Sequence, residues 1–515
     1  MASFELRQPS LPRYDDSNKL LNLSSFLAPT KIPFSLLTRG SSSRERWTSQ
    51  GGIESVEASD VGLPSDLCRI LSNQPDLEST INSMPHTYIK VSDQLFEVDG
   101  AVADLARQRH VPDDQARWKN WALIVTYRSI PWKYLEPVSD DPTLVFPHLK
   151  HTLEACADGF PGLSNEAKID LGLTLIESTR FPDMAWKKFA INQAKRVSVG
   201  VESPYLTSRI ALAECLVNRI EGSMLRSAAN LVPISSEETA PDERMHSIAG
   251  QYAIQRALNF MQVEALKSAE EVLEAWSPLT ETPSPMEQSV EFRKAIILGR
   301  SLRQRGEFFP SAIKLEAARH LTEEPLDFVP NEDLRDLISE LADSLREAHY
   351  SARAINILRQ EIKRREGSYM PTAGKSLLDL SLAEVLYCRG LNDEAEYICR
   401  CAMQDFPRLK YEKIRACIIL GKIHHFSKPD KARKYWTMAL DDVNRLPSES
   451  LETSRSILRS LCDLKGPDEL REQYQKQLSR LEAQGEDSEV KFWIAGMPEW
   501  EKFMKDMASG VYNYD

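Results

Sequence analysis

Across 515 residues the chain is 42% hydrophobic and 27% charged, with 64 Lys and Arg against 76 Asp and Glu, a formal charge of −12. The balance is that of an ordinary folded protein rather than a disordered one, long enough for a repeat array plus one further small domain. An acidic excess repels nucleic-acid phosphates unless the cations cluster, and no run nears the roughly 20 apolar residues of a membrane span. The N-terminus MASFELRQPSLPRYDD carries acids and lacks a signal peptide's apolar core. Eight cysteines, at 68, 156, 215, 388, 399, 401, 417 and 462, show no CxxC spacing. An intracellular protein, in cytoplasm or nucleus, with reduced and mostly buried thiols is expected.

In chain order, residues 1–18 read as an extension. KLLNLSSFLAPTKIPFSLL (19–37) has helical spacing that stops at Ala28-Pro29 and restarts after Ile32-Pro33, which predicts helix, turn, helix. The Ser- and Gly-rich span 39–56 predicts a loop or degenerate insertion that adds little core. A helix near Leu63 to Leu71, a strand pair from His86 to Val98 turning at Ser92-Asp93, and a helix ending near His110 complete the segment. Helices, then a hairpin, then a closing helix is the order of a winged-helix domain, here degenerate and spanning 19–112. Connecting helices are expected over 113–160. There His148 and His151 lie three apart with only Glu154 beyond, so packing is favoured over a metal site.

From 161 to 475 one pattern returns about every 42 residues and predicts a tetratricopeptide-like helical-hairpin solenoid, so the fold class is mostly all-α. In LSLAEVLYCRGLNDEAEYICRCAMQDFP the small and bulky residues Ala383, Leu386, Gly390, Ala395, Cys399, Ala402 and Pro407 fall at the offsets of such a repeat. Small residues belong where two antiparallel helices cross, and proline ends the second helix. Small anchors at 172, 213, 257, 299, 342, 383 and 421 step by 41, 44, 42, 43, 41 and 38. From 257 on, a second small residue follows twelve later at Ala269, Ser311, Ala354 and Ala395, and eleven later at Ala432. A period longer than the roughly 34 of the commonest repeat predicts longer helices or links and resembles the kinesin-light-chain type. A plain helical bundle is the alternative.

Stacked hairpins form an inner groove lined by the first helix of each pair. Its candidate partner-binding residues are Arg300, Arg303 and Gln304, then Arg346, Glu384 and Tyr387, then Lys422 and His425. Arginine and tyrosine hold carboxylates and peptide backbone at small entropic cost, so a protein or peptide partner is expected, with solvated surface charge as the plainer reading of each. Of the adjacent His424 and His425, one is expected to pack and the other to face the groove. The basic stretch Arg359 to Glu366 reads as a solvated helix face. Residues 476–515 form a polar linker and an aromatic tail holding Phe492, Trp493, Trp500, Phe503, Met504 and Met507. A cap over the open end of the array is expected, with a detachable partner-binding peptide as the alternative.

Several of these stretches also resemble a family. LLNLSSFLAPTKIPFSLL, FEVDGAVADLARQ, ARWKNWALIV and LVFPHLKHTLEA resemble the back half of fungal nucleotide-binding receptors of the STAND class, the NB-ARC proteins with tetratricopeptide tails. Phe26, Leu27, Pro29, Ile32, Pro33 and Leu36 match the helix pair that opens that family's winged helix. Phe96, Val98, Ala101 and Val102 match its closing strand-to-helix junction, and Trp118, Pro147 and His148 the approach to the repeats. No G-x-x-x-x-G-K-[ST] occurs: Gly374-Lys375-Ser376 has Tyr369 where the first glycine belongs. Asp99 stands where the family carries a phosphate-sensing histidine.

The resemblance therefore implies a relative without nucleotide control, or a gene clipped upstream of Met1. It implies no cofactor, and a monomer, because relatives assemble through the missing nucleotide-binding domain. No Gly-x-Ser-x-Gly elbow occurs, and Cys399 and Cys401 face different ways on a helix, so no enzyme is expected. The expected function is a non-enzymatic interaction scaffold or sensor remnant. The alternatives are an auxiliary protein of a biosynthetic or stress pathway, and a winged-helix DNA-binding regulator. The last is disfavoured because only Lys31 and Arg39 flank the recognition segment.

Overall fold

The computed structural model describes residues 14–138, 144–156, 159–181, 183–223, 227–228, 242–323, 326–366, 372–404, 410–446, 451–465, 467–484 and 489–509. Most of the expected 1–18 extension, Pro407 and part of the 482–489 linker lie outside them. The chain is mostly helical, with twenty-three α-helices among the described residues. It divides into two compact units, Met1–Val217 with Asp242–Ile248, and Asn218–Pro241 with Ala249–Asp515.

The first unit opens with α1 (Tyr14–Ser25), β1 (Ile32–Pro33), α2 (Phe34–Ser41), β2 (Arg44–Trp47) and β3 (Ile53–Val56). There follow α3 (Ser65–Leu71), α4 (Gln74–Asn82), β4 (Ile89–Ser92), β5 (Leu95–Val98) and α5 (Gly100–Gln108). The expected hairpin turns at Asp93 (φ 50°), and β5 also pairs with β1, giving an antiparallel sheet in the order β1-β5-β4. Ile32 sits opposite Phe96, so two separately matched motifs meet as one strand pair. Asp99 caps α5, its carboxylate accepting from the amides of Ala101 and Val102 (3.0 and 3.2 Å), which accounts for an acid at that position.

Two expectations for this unit are corrected. The span 39–56 is not a loop: β2 and β3 form a regular hairpin, and Arg44, Arg46 and Trp47 are buried. Arg46 pairs with Asp170 and lies over the Trp132 ring at 4.1 Å, while Arg44 pairs with Glu136. Arg128 donates to the carbonyls of Ser42 and Val56 (3.0 and 2.8 Å), so the span's polar composition reflects ion pairing inside a core. Nor are residues 113–160 a connector. Helix α6 (Pro112–Arg128) buries everything from Ala122 to Arg128 and packs on α1 and α2, where Gly40 admits the Val125 carbonyl.

The unit continues with α7 (Phe146–Ala155), α8 (Asn165–Glu177), α9 (Met184–Val197) and α10 (Pro204–Ile220). The boundary falls inside the stretch that the period marks as repeats, so the anchors Gly172 and Ala213 fold with the first unit.

The second unit holds the regular hairpins. They are α11 (Glu243–Gln262), whose residues up to Ile248 belong to the first unit, with α12 (Leu266–Glu274), α13 (Pro285–Gln304) with α14 (Phe308–Leu321), and α15 (Asn331–Glu347) with α16 (Ser351–Arg364). Next come α17 (Thr372–Cys388) with α18 (Asn392–Gln404), α19 (Lys410–His424) with α20 (Pro429–Val443), and α21 (Leu451–Asp463) with α22 (Asp468–Gln484), before a last helix α23 (Met497–Ala508). Gly374-Lys375-Ser376 lies within α17. Every anchor from 257 to 421 sits on a first helix and faces the crossing. A methyl group on Gly299 would strike Leu315, and one on Gly421 would strike Trp436. Ala342, Ala354, Ala383, Ala395 and Ala432 are fully buried, and Ser311 donates its hydroxyl to the Gly299 carbonyl (2.6 Å).

The turn inside four of these hairpins is one device repeated. Glu264, Gly306, His349 and Gly390 are all left-handed, with φ of 61°, 82°, 70° and 75°. Each amide bonds back to the carbonyl three residues earlier, and the following amide, of Ala265, Glu307, Tyr350 or Leu391, reaches five residues back, at 2.7 to 3.0 Å. This double bond closes the frayed end of the first helix. The fifth hairpin, with one residue fewer between its small positions, has no left-handed residue at 425–428.

A left-handed backbone strains any residue with a Cβ. His349 is exposed, so His349→Gly should raise stability by about 0.5–1 kcal/mol, and Gly390→Ala should lower it by a similar amount, in urea unfolding.

Candidate functional site: the inner face of the repeats

Within the second unit α13, α15, α17 and α19 pack in sequence, and ion pairs stitch them together. Arg293 bridges to Asp333 and Asp336 (3.0 and 2.9 Å), and Arg300 and Arg303 share Glu340 (2.7 and 3.1 Å). Arg415 reaches Asp343 at 2.6 Å, and Lys422 pairs with Glu384. Burial opposes ionisation of Asp336, but the charges of Arg335, Arg293 and Arg300 outweigh it and hold the carboxyl well below its usual range.

Across this row lies the chain's own C-terminal segment. The expected cap is corrected: residues 489–504 run along the inner face in the same direction as the repeats, and only their last part covers the final hairpins. Lys267 donates its amide to Glu489 (2.7 Å), and Val490 is buried among Ala257, Leu266 and Leu273. The amides of Lys491 and Phe492 both donate to the Gln304 carbonyl (2.9 and 3.0 Å). Trp493 meets Tyr411 edge-on at 5.4 Å, and Ile494 and Ala495 are fully buried.

Gly496 is the hinge of the segment. Its amide donates to Glu347 (2.9 Å), its carbonyl accepts from Lys422 (3.0 Å), and its φ of 83° turns the chain into α23. A Cβ there would collide with the Glu384 carboxylate and approach the Lys422 ammonium, so position and conformation both demand glycine. One turn on, Glu499 pairs with Arg346 at 2.6 Å. Trp500 then fills a socket: its indole donates to Ser460 (2.8 Å) while its ring meets His425 at 5.0 Å and Trp436 at 5.9 Å.

The predicted groove residues are therefore placed as follows. Arg303, Gln304, Arg346, Glu384, Lys422 and His425 are buried, and Arg300 and Tyr387 half-buried. Gln304, Arg346, Glu384, Lys422 and His425 meet the tail, whereas Arg300 and Arg303 engage Glu340. Tyr387 receives the Lys422 ammonium over its ring at 5.4 Å. His425 faces Trp500 and Asp463, while His424 stacks on Tyr435 at 5.9 Å and reaches Glu396. Sequence reasoning missed Glu347, Trp436 and Ser460. Glu347 and Ser460 carried no signal beyond their helical phase.

Electrostatically the centre is a buried cluster of Arg346, Glu347, Glu499, Glu384 and Lys422. Burial opposes ionisation of Glu499, but the Arg346 charge and hydrogen bond outweigh it and leave the carboxyl below its ordinary value. At Glu347 burial dominates, with Glu499 adding to it and Arg346, Arg303 and the Gly496 amide opposing, and the carboxyl is pushed up to about 7.

His148 is buried, bonded to the Lys31 carbonyl (3.0 Å), and desolvation lowers its pKa. Cys156, Cys215, Cys399 and Cys417 are buried, but Cys388 and Cys401 are exposed, so thiol burial is less general than expected. Among the described residues no group of three or more His, Cys, Asp or Glu could hold a metal, and no helix is long and apolar enough to cross a membrane.

No family profile and no curated protein match this chain. Among solved structures it is similar to a Signal Transduction ATPase with Numerous Domains (STAND) protein with a tetratricopeptide repeat sensor from Pyrococcus horikoshii, at 11% identity and a TM-score of 0.37. The match covers 97% of this chain and 65% of that one, so this chain spans less than two thirds of its length.

Because the folded value of Glu347 lies above the ordinary 4.5, its contribution to stability is complete below that value and is lost as pH rises through about 7. Glu347→Gln, which mimics the neutral acid, should leave the melting temperature near wild type at acid pH. At alkaline pH it should raise it by on the order of 2 °C, the shift that about 1 kcal/mol produces in a domain of this size, in paired thermal melts.

Proposed function

We propose that the repeat unit is a non-enzymatic protein-interaction sensor or scaffold whose partner binds along the row of first helices. The observation that carries this reading is the way that row already holds a peptide. It supplies a backbone acceptor at Gln304, opposite charges for a peptide amide and carbonyl at Glu347 and Lys422, a cation for a carboxylate at Arg346, and an aromatic socket around Trp436. Backbone capture plus a few anchored side chains is how grooves recognise extended segments.

Kinship with fungal nucleotide-binding receptors of the STAND class belongs to the same proposal and rests on the short motifs of the first unit. The helix order and the β1-β5-β4 sheet support a degenerate winged helix there. DNA recognition by it is disfavoured, since Arg39 is half-buried against Glu136 and the Ser129 carbonyl (3.4 and 3.3 Å) rather than free for phosphate.

Full-length chain immobilised at physiological salt should retain a protein partner. Arg300→Glu, which sets a like charge against Glu340 away from the tail, should cut that retention about tenfold, the effect of about 1.4 kcal/mol. Undiminished capture would count against groove binding, and retention of duplex DNA at the same salt would favour the regulator alternative.

A further inference from the structure

Resting on that reading, we infer that residues 489–504 are a ligand held in cis, and that the trans partner is a protein segment of the same chemistry. Such a segment is an extended apolar and aromatic stretch, a glycine turn, then a helix start bearing a carboxylate one residue before a tryptophan.

Three observations point to a ligand rather than to permanent core. First, the contacts are those of a bound peptide: two amides on one carbonyl, one carboxylate on one arginine, one tryptophan in a socket. Second, the seat is poorly satisfied for a protein interior. Arg303 Nη1, Gln304 Oε1, Arg346 Nε, Glu347 Oε2, Glu384 Oε2 and Glu499 Oε2 are buried without a hydrogen-bond partner among the described residues. Interiors leave few such atoms, and each one weakens the association that buries it. Third, the groove side is built without the tail. Glu340 holds Arg300 and Arg303, Asp343 holds Arg415, and Glu384 holds Lys422, so the row keeps its internal pairs when the tail leaves.

Charge complementarity fixes which segment fits. Arg346 and Lys422 present cations to an incoming carboxylate and carbonyl, while Glu347 requires an amide donor beside them. Glycine is the residue that fits against Glu384 at the turn. Tethering places the tail at millimolar effective concentration, so a trans segment must compete with it, and its apparent affinity falls accordingly.

The test uses the full chain and a fluorescent synthetic peptide of residues 489–508. Gly496→Val drives a side chain into Glu384 and dislodges the cis tail without altering the groove. The variant chain should bind the peptide about ten to a hundred times more tightly than the wild-type chain. A peptide carrying Glu499→Arg should lose at least tenfold, because it meets Arg346. Should Gly496→Val fail to fold, a protease site placed between residues 484 and 489 of otherwise wild-type chain serves instead. After cleavage the tail should exchange with labelled peptide.

The inference is overturned if the cut tail never exchanges while the chain stays folded, or if cutting unfolds the unit. It is overturned also if the variant self-associates through its freed tail and takes up no peptide, which would make a second copy the occupant. Exchange without partner capture would sustain the cis ligand and sink only the sensor reading, so the two failures are distinguishable.

Discussion

Everything in the second unit depends on how closely two antiparallel helices can cross. At Gly299 and Gly421 the backbone of the first helix comes within reach of Leu315 and Trp436 on the second, and no side chain fits between them. Alanines at 342, 354, 383 and 395 are fully buried at the same kind of position. Close approach fixes each hairpin's splay, the splay fixes how hairpins stack, and the stacking sets the first helices side by side. The size of one residue per helix thus places arginines from different repeats a few ångströms from one another's carboxylates.

That placement has an electrostatic cost, since charges on tightly packed first helices lose water on several sides. Opposite charges one repeat away offset the loss for Arg300 and Arg303, and one two repeats away does so for Arg415. Arg346 and Glu347 pair with each other (3.0 Å). Both belong to the end of one helix, and the groups that answer them, Glu499 and the Gly496 amide, come from about 150 residues further along the chain. The tail turns beside this pair.

The repeat was legible because close helix crossings demand small residues at fixed spacing, and that demand shows in any one chain. The turn shared by four hairpins was half legible: Gly306 and Gly390 announce a left-handed residue, but Glu264 and His349 occupy the same conformation in disguise. The β2–β3 hairpin was misread because its buried members are arginines, which composition assigns to the surface until Asp170 and Glu136 are brought to them by the fold. The groove residues were found by helical phase, which gives direction but not occupancy. Their burial depends on a segment joined to them by no local signal. The aromatic content of 490–503 said that the tail must be covered, and a cap and a groove both satisfy that requirement.

A stack of hairpins in which each touches only its neighbours is mechanically a chain of weakly linked segments, free to fray from either end one hairpin at a time. The tail changes that topology. By touching Lys267 near one end and Ser460 near the other, it acts as a splint across six hairpins, so an intermediate hairpin that opens also releases contacts to a single shared segment. While the segment is seated, order within one hairpin becomes order shared by the whole array.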